Sequence, residues 1–293
     1  MTVPGPNERR ASPRPQRRRR TRRTAVHDPA APAVLAADLD VGYEGRPALS
    51  GITFRLGVGE RLAVVGPNGA GKSTLIEILA GVRAPDRGEI RVHGHDPCGH
   101  ICIAYLPQRS RVDWRFPVTV ADVAMMGRIG RLGLLRRPRA IDRRVVREAL
   151  ADVGLTALAD RQIQQLSGGQ QQRMFIARAL AQEAELILMD EPLAGLDIQS
   201  RDGVLGLLDE LSRREVTVIV ALHDLGIASV SFNRVLLLNR QQIGFGSASE
   251  VFTHENLQRA YGTCLRMVET PEGLMMVSDT ACAGEGGDGH EHP

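Results

Sequence analysis

The sequence predicts an α/β fold: a parallel sheet covered by helices on both faces, a smaller antiparallel β lobe beside it, and a helical insert. Three observations carry this. Short β-branched and aliphatic runs with few polar positions, Leu62–Val65, Leu186–Met189 and Val216–Leu222, read as strands buried on both faces. Each run gives way at once to glycine-rich or polar sequence, as happens where a parallel strand ends at a ligand. Between about residues 119 and 180 the apolar spacing turns helical.

The elements follow in order. Residues 1–33 hold nine arginines against Glu8 and Asp28, a net charge of +7, so the rest of the chain carries −4 of the total of +3. With Pro29 and Pro32 and no apolar core, this segment reads as a solvated arm rather than a leader, with weak contact to anionic lipid or nucleic acid as the other reading. Alternation at Ile52, Phe54 and Leu56 gives the antiparallel lobe. The chain then has 36 arginines and one lysine, Lys72, and that lysine sits in Gly66-Pro67-Asn68-Gly69-Ala70-Gly71-Lys72-Ser73-Thr74. The loop joins strand Leu62–Val65 to a helix with Leu75, Ile76, Ile78 and Leu79 on one face, stopped by Gly81. Glycines let successive N–H groups and a helix N-terminus turn toward a polyphosphate. Lys72 supplies a compact charge for its terminal phosphates, and the Ser73 hydroxyl suits Mg²⁺. The loop therefore reads as a cradle for a polyphosphate with Mg²⁺.

Ile103–Pro107 is a strand that delivers Gln108, a neutral group able to touch metal or water. Thr119-x-x-Asp122 opens the helical insert, spanning about 111–180, where Val145, Ala149, Leu150 and Val153 form a stripe closed by Gly154. Eight arginines from Arg128 to Arg147 read as a solvated face. Ser167-Gly168-Gly169-Gln170 starts another helix, whose inward positions include Phe175, Ile176, Ala179 and Leu180. Two glycines in a first turn cost about 1 kcal/mol each, which suits bare backbone approaching an anion, a second phosphate site. Strand Leu186–Met189 ends in Asp190 and Glu191; neighbouring strand residues face opposite ways, so Asp190 is assigned to the metal and Glu191 to the attacking water. His223, after Val216–Leu222, can donate to a γ-phosphate. A phosphate cradle and a separate serine-glycine turn in one chain suggest a head-to-tail homodimer with nucleotide between the two elements.

These residues resemble those of the ATP-binding subunits of ABC transporters over about residues 36–262, with Walker A at Gly66–Thr74, the signature at Leu166–Arg173 and Walker B at Leu186–Glu191. The resemblance implies a P-loop NTPase core of RecA-like type that takes ATP and Mg²⁺, that Gln108 and His223 are the Q-loop and switch residues, that Tyr43 stacks on adenine, and that Asp197 couples two sites across the dimer. Ala194 and Leu222 depart from the family, standing where small hydroxyl residues are common. Val112–Val120, Asp122, Met126–Arg128, Thr253–Leu257 and Ala260–Gly262 are similar to the branch that imports manganese, zinc and iron. An ABC ATP-binding domain at 34–265 and a flexible tail at 266–293 are thus expected. The implied partners are an integral membrane permease and, indirectly, an extracytoplasmic metal-binding protein, with the chain at the cytoplasmic face of the membrane. Alternatives are an importer of another substrate such as a metal chelate, or a soluble ABC ATPase acting on nucleic acid or ribosomes. One cassette, with 58 positions from Gln108 to Leu166, argues against nucleic acid as the partner.

Four cysteines, Cys98, Cys102, Cys264 and Cys282, point to a reducing compartment. Trp114 and Phe116 between two prolines offer apolar surface to a partner helix, with core packing as the other reading. His93, His95, Cys98, His100 and Cys102, and the terminal His290 and His292, are ligand-rich without a recognised zinc spacing, so they read as candidates for regulatory metal or as a solvated loop and tail.

Overall fold

The computed structural model describes residues 30–278 apart from 44–45, 98–101, 109, 111, 133–135, 263–264 and 271–272. Strands β1 (Val34–Tyr43), β2 (Arg46–Leu56) and β4 (Arg87–Val92) build the antiparallel lobe. Strands β3 (Arg61–Val65), β5 (Ile103–Leu106), β6 (Leu186–Asp190), β7 (Thr217–Leu222) and β8 (Arg234–Asn239) run parallel, and β9 (Gln241–Gly246) returns antiparallel beside β8. All nine join in one sheet of order β4-β1-β2-β9-β8-β3-β7-β6-β5.

The parallel strands are hydrophobic without alternation because both faces are covered. Val64, Leu188, Ile219 and Leu236 face one core with the lobe and α1 (Lys72–Leu79), whereas Val65, Met189, Val220 and Leu237 face another lined by helices. This second core takes in α2 (Val120–Met126), α4 (Ala140–Asp152), α5 (Gly168–Ala181) and α6 (Ile198–Arg213). Burying a residue such as Leu75 in the first core or Val220 in the second fully contributes about 1.5–3 kcal/mol, so both faces hold the sheet.

The helical insert differs from expectation in three places. Thr119 does cap α2, accepting from Asp122 N at 3.1 Å while Asp122 Oδ2 accepts from Thr119 N at 2.9 Å. In α4, however, Val146 and not Val145 joins Ala149, Leu150 and Val153 in the core, a phase error of one position, or about 100° of helix. Leu180 is only partly buried on the rim of the same core. Arg128, expected on a solvated face, is 6% exposed. It follows α2 and precedes α3 (Ile129–Leu132), and its Nε donates to Asp142 Oδ1 at 3.1 Å and its Nη1 to Ala181 O at 3.0 Å and Glu183 Oε2 at 2.6 Å. One guanidinium thus ties α4 to the end of α5. The Arg139 backbone N–H, first among several groups, holds the Asp142 carboxyl below its usual value, so that group stabilises the fold above about pH 4 and the contribution is lost as pH falls through its lowered pKa. Arg128→Ala is expected to lower stability by about 3–5 kcal/mol in urea titration, because it leaves Asp142 buried without its cation.

Ala33 is fully buried and its carbonyl accepts from His93 N at 3.0 Å, so the packed body includes at least the last residue of the segment read as an arm. After α7 (Leu225–Ser231), α8 (Ala248–Val251) and α9 (His254–Tyr261), strands β10 (Leu265–Thr270) and β11 (Gly273–Ser278) pair as an antiparallel hairpin. Residues 266–278, expected as the start of a flexible tail, thus carry paired strands, and 279–293 lie outside the described residues. Two apolar-rich runs separated by Pro271-Glu272 and opened by Gly273 are a hairpin pattern that a glycine-rich reading of the whole terminus obscures. Among the described residues no helix is long and apolar enough to cross a membrane.

Candidate functional site

The register of the parallel strands gathers the chemistry on one edge. Val65 pairs with Leu222, Ala221 with Asp190, and Met189 with Leu106, so β3, β7, β6 and β5 end level with one another. The glycine loop, His223, Asp190-Glu191 and Gln108 therefore leave four neighbouring strands at the same height.

The glycine loop is held in shape by close packing and hydrogen bonds. Gly71 caps α1 at φ 96°, and a Cβ there would come within 2.7 Å of Ala48 O and 2.4 Å of Leu49 Cδ2, so no other residue fits. Ala70 O accepts from Arg240 N at 2.9 Å, which fixes the loop from the β8–β9 turn. Lys72 is 6% exposed and its Nζ donates to Gly66 O at 2.8 Å and Pro67 O at 3.0 Å. Burial pulls its pKa below 10.5, against the opposing pull of Glu191 and Asp190. The remaining loop residues expected to touch phosphate, Asn68, Gly69, Ser73 and Thr74, lie at the turn and on the first turn of α1.

Ser73 Oγ donates to the buried Asp190 Oδ1 at 3.1 Å. A hydroxyl and a carboxylate oxygen at that spacing make a hard donor pair suited to Mg²⁺. The next residue does a different job, as strand alternation requires. Glu191 has φ 51°, a left-handed backbone that non-glycine residues adopt only at a cost of about 1–3 kcal/mol. Its Oε2 accepts from Gln108 Nε2 at 2.8 Å, and its Oε1 contacts His223 Nε2. Three residues from positions 108, 191 and 223 thus form one cluster. A carboxylate so placed can orient water and accept its proton, while an amide and an imidazole sense the same point.

Ser167 caps α5, accepting from Gln170 N at 3.4 Å, while Gln170 Oε1 accepts from Ser167 N at 3.0 Å. The two glycines of this turn do not share one cause. Gly168 is partly exposed and open to an anion, but a Cβ on the buried Gly169 would lie 2.6 Å from Ser200 Oγ and 2.7 Å from Ser200 Cβ. Gly169 is therefore held to glycine by close packing on α6 as well, a cause additional to its reading as bare backbone for phosphate. Asp197 caps α6 and accepts from Ser200 N at 2.9 Å and Ser200 Oγ at 2.8 Å, so Ser200 links Asp197 to the serine-glycine turn. Those two hydrogen bonds, the backbone one first, hold the Asp197 carboxyl below its usual value. Gly169→Ala is expected to cost about 1–3 kcal/mol of stability through overpacking, and Ser200→Gly in the same chain is expected to recover part of it in thermal melts.

Tyr43 ends β1 and is 44% exposed, with the Arg83 guanidinium 3.8 Å from its ring centroid. Nothing in the sequence marks Arg83, which lies 40 positions away. Of the two aromatics expected at the surface, Phe116 is exposed, but Trp114 packs edge-on against Phe175 at 5.7 Å between centroids and is only partly exposed. Of the histidine-cysteine cluster, the described members His93, His95 and Cys102 do not gather into a metal site. His93 is buried with Nε2 3.8 Å from Glu185 Oε2, and burial, with Glu185 assisting, pushes the Cys102 thiol up to about 11. Cys98, His100, His290 and His292 lie outside the described residues, and among those described no three His, Cys, Asp or Glu groups converge. Alkylation at pH 8 followed by peptide mapping is expected to leave Cys102 unmodified in the native chain and modified after denaturation, because its thiolate is scarce and buried.

Residues 49–194 match the family described as ABC transporter. The manganese transport system ATP-binding protein MntB of Bacillus subtilis is 46% identical over 226 residues, covering 77% of this chain and 90% of that one. The zinc transport system ATP-binding protein TroB of Treponema pallidum is 45% identical over 242 residues, covering 82% and 91%. Among solved structures, an ABC transporter assigned to the metal-chelate type, in an inward-facing conformation, aligns with TM-score 0.74 at 33% identity over 84% of this chain and 97% of that one.

Proposed function

The chain belongs to the ABC transporter family as an ATP-binding, ATP-hydrolysing subunit, and from that premise we propose that it drives an importer of divalent metal ions such as manganese, zinc or iron. Supporting this substrate class is identity of 45–46% to manganese and zinc system subunits across more than three quarters of the chain. The chain works with a membrane permease and is membrane-associated by way of it. Its place is the cytoplasmic face, and an extracytoplasmic binding protein delivers the ion to the permease.

The hydrolytic reading rests on one observation, Glu191 held between Gln108 and His223 beside Lys72, Ser73 and Asp190. Lys72 and the loop amides of Gly66–Thr74 bind the β- and γ-phosphates, and Tyr43 takes the adenine. Ser73, Asp190 and Gln108 would hold Mg²⁺, which would neutralise phosphate charge. Glu191 orients water in line with the γ-phosphorus and accepts its proton, while His223 donates to the γ-phosphate. Ser167, Gly168, Gly169 and Gln170 of a second copy complete the nucleotide site, and Asp197 relays its state across the dimer. ATP binding thus closes the pair and hydrolysis reopens it, which moves the permease.

Uptake of radioactive manganese and zinc by cells lacking this chain tests the substrate class. Restoration by the intact chain supports it, whereas restoration of a metal chelate alone would reassign the substrate. Removing residues 1–29 is expected to leave the ATPase rate of the purified chain unchanged, since their arginine- and proline-rich composition reads as a solvated arm; a large loss would make the arm part of the machinery.

A further inference from the structure

We propose that Arg83 is a positioning residue for the nucleobase: its guanidinium backs one face of the Tyr43 ring and so presents the opposite face to adenine. The inference rests on the reading of Tyr43 as the adenine platform.

Tyr43 stands at the open end of β1, where a lone aromatic would turn freely about its side-chain torsions. Here the planar guanidinium of Arg83 lies over the ring with Cζ 3.8 Å from the centroid, a cation–π stack. The same guanidinium donates from Nη2 to Gly42 O, the carbonyl of the residue just before Tyr43. Two more bonds hold the segment in place: Gly42 N donates to Asp86 Oδ2 at 2.7 Å, and Asp86 N donates to Asp40 O at 2.9 Å. Tyr43 nevertheless remains 44% exposed, which leaves surface for a base to meet.

The chain path explains why this residue is available. The helix α1 begins at Lys72 on the phosphate side, and Gly81, at φ 66°, turns the chain back so that Arg83–Asp86 reach the end of β1. One short helix therefore carries the phosphate grip at one end and the support of the base platform just beyond the other. Because Arg83 is anchored to Gly42 O, it stays behind the ring when a base arrives; adenine does not replace it.

The test is equilibrium binding of two probes in the presence of Mg²⁺, adenylyl imidodiphosphate and inorganic triphosphate, to the full chain and to Arg83→Ala, Arg83→Lys, Tyr43→Leu and the double variant Tyr43→Leu/Arg83→Ala. Thermal melting confirms that each is folded. Arg83→Ala is expected to weaken the adenine analogue about two- to fivefold and to leave triphosphate binding unchanged, with Arg83→Lys recovering part of the loss. Tyr43→Leu is expected to weaken the analogue about tenfold, and adding Arg83→Ala to it to cost nothing more. Equal weakening of both probes would make Arg83 a charge for phosphate, and tighter analogue binding would make it a competitor for the base; either overturns the inference. If Tyr43→Leu changes nothing, the platform reading itself falls. If Tyr43→Leu weakens binding and Arg83→Ala does not, that reading stands and the role of Arg83 falls.

Discussion

Replacing Glu191 by Gln is expected to cut ATP turnover by about 10²–10⁴-fold while leaving nucleotide binding intact. The change is nearly isosteric, and the new side-chain oxygen can still accept from Gln108 Nε2, as the carboxylate now does at 2.8 Å. What it removes is basicity: an amide cannot take the proton of the attacking water. The consequence should be visible in two measurements. Phosphate release falls to the residual rate supplied by positioning and electrostatics alone, and light scattering with ATP detects a persistent dimer, because closure without hydrolysis has no route to reopening. A phosphate-release rate equal to the unmodified chain's would remove Glu191 from the reaction.

Lys72→Ala is the second large effect, on binding. The ammonium is buried at 6% exposure and donates to Gly66 O and Pro67 O, so its loss deprives a polyphosphate of its one buried cation in the loop and leaves those two carbonyls without this donor. Truncating one partner of such a desolvated charge pair costs about 2–5 kcal/mol, or about 30-fold to several thousandfold in Kd. Calorimetric titration with ATP should find no tight site, and unaltered affinity would refute the cradle. The direction of the Lys72 pKa adds a pH signature. Burial holds it below 10.5 in the free chain, and a bound polyphosphate favours the charged form, so binding takes up a proton in the alkaline range. Affinity should therefore decline as pH rises, beginning below 10.5.

Local signals made much of the site legible. A glycine loop between strand and helix, acids at a strand end and a histidine after another strand each announce themselves within ten residues, and the level register of β3, β7, β6 and β5 brings them together. The features that sequence reading missed are those decided at a distance. Arg128 looks like one more surface arginine until Asp142 and Glu183, 14 and 55 positions on, enclose it. Gly169 gives no sign in the sequence that Ser200, 31 positions on, packs against it. Arg83 carries no motif, and only the turn after α1 sets it on Tyr43. In α4 the stripe was detected but not its phase, because Val145 and Val146 are chemically identical and only packing chooses between them.

The positive φ of Glu191 sets thermostability and turnover at odds. A glycine at that position would relieve the backbone and firm up the fold by about 1 kcal/mol, yet abolish the chemistry. Screening variants for heat resistance alone would thus drift toward sturdy, inert proteins at this codon.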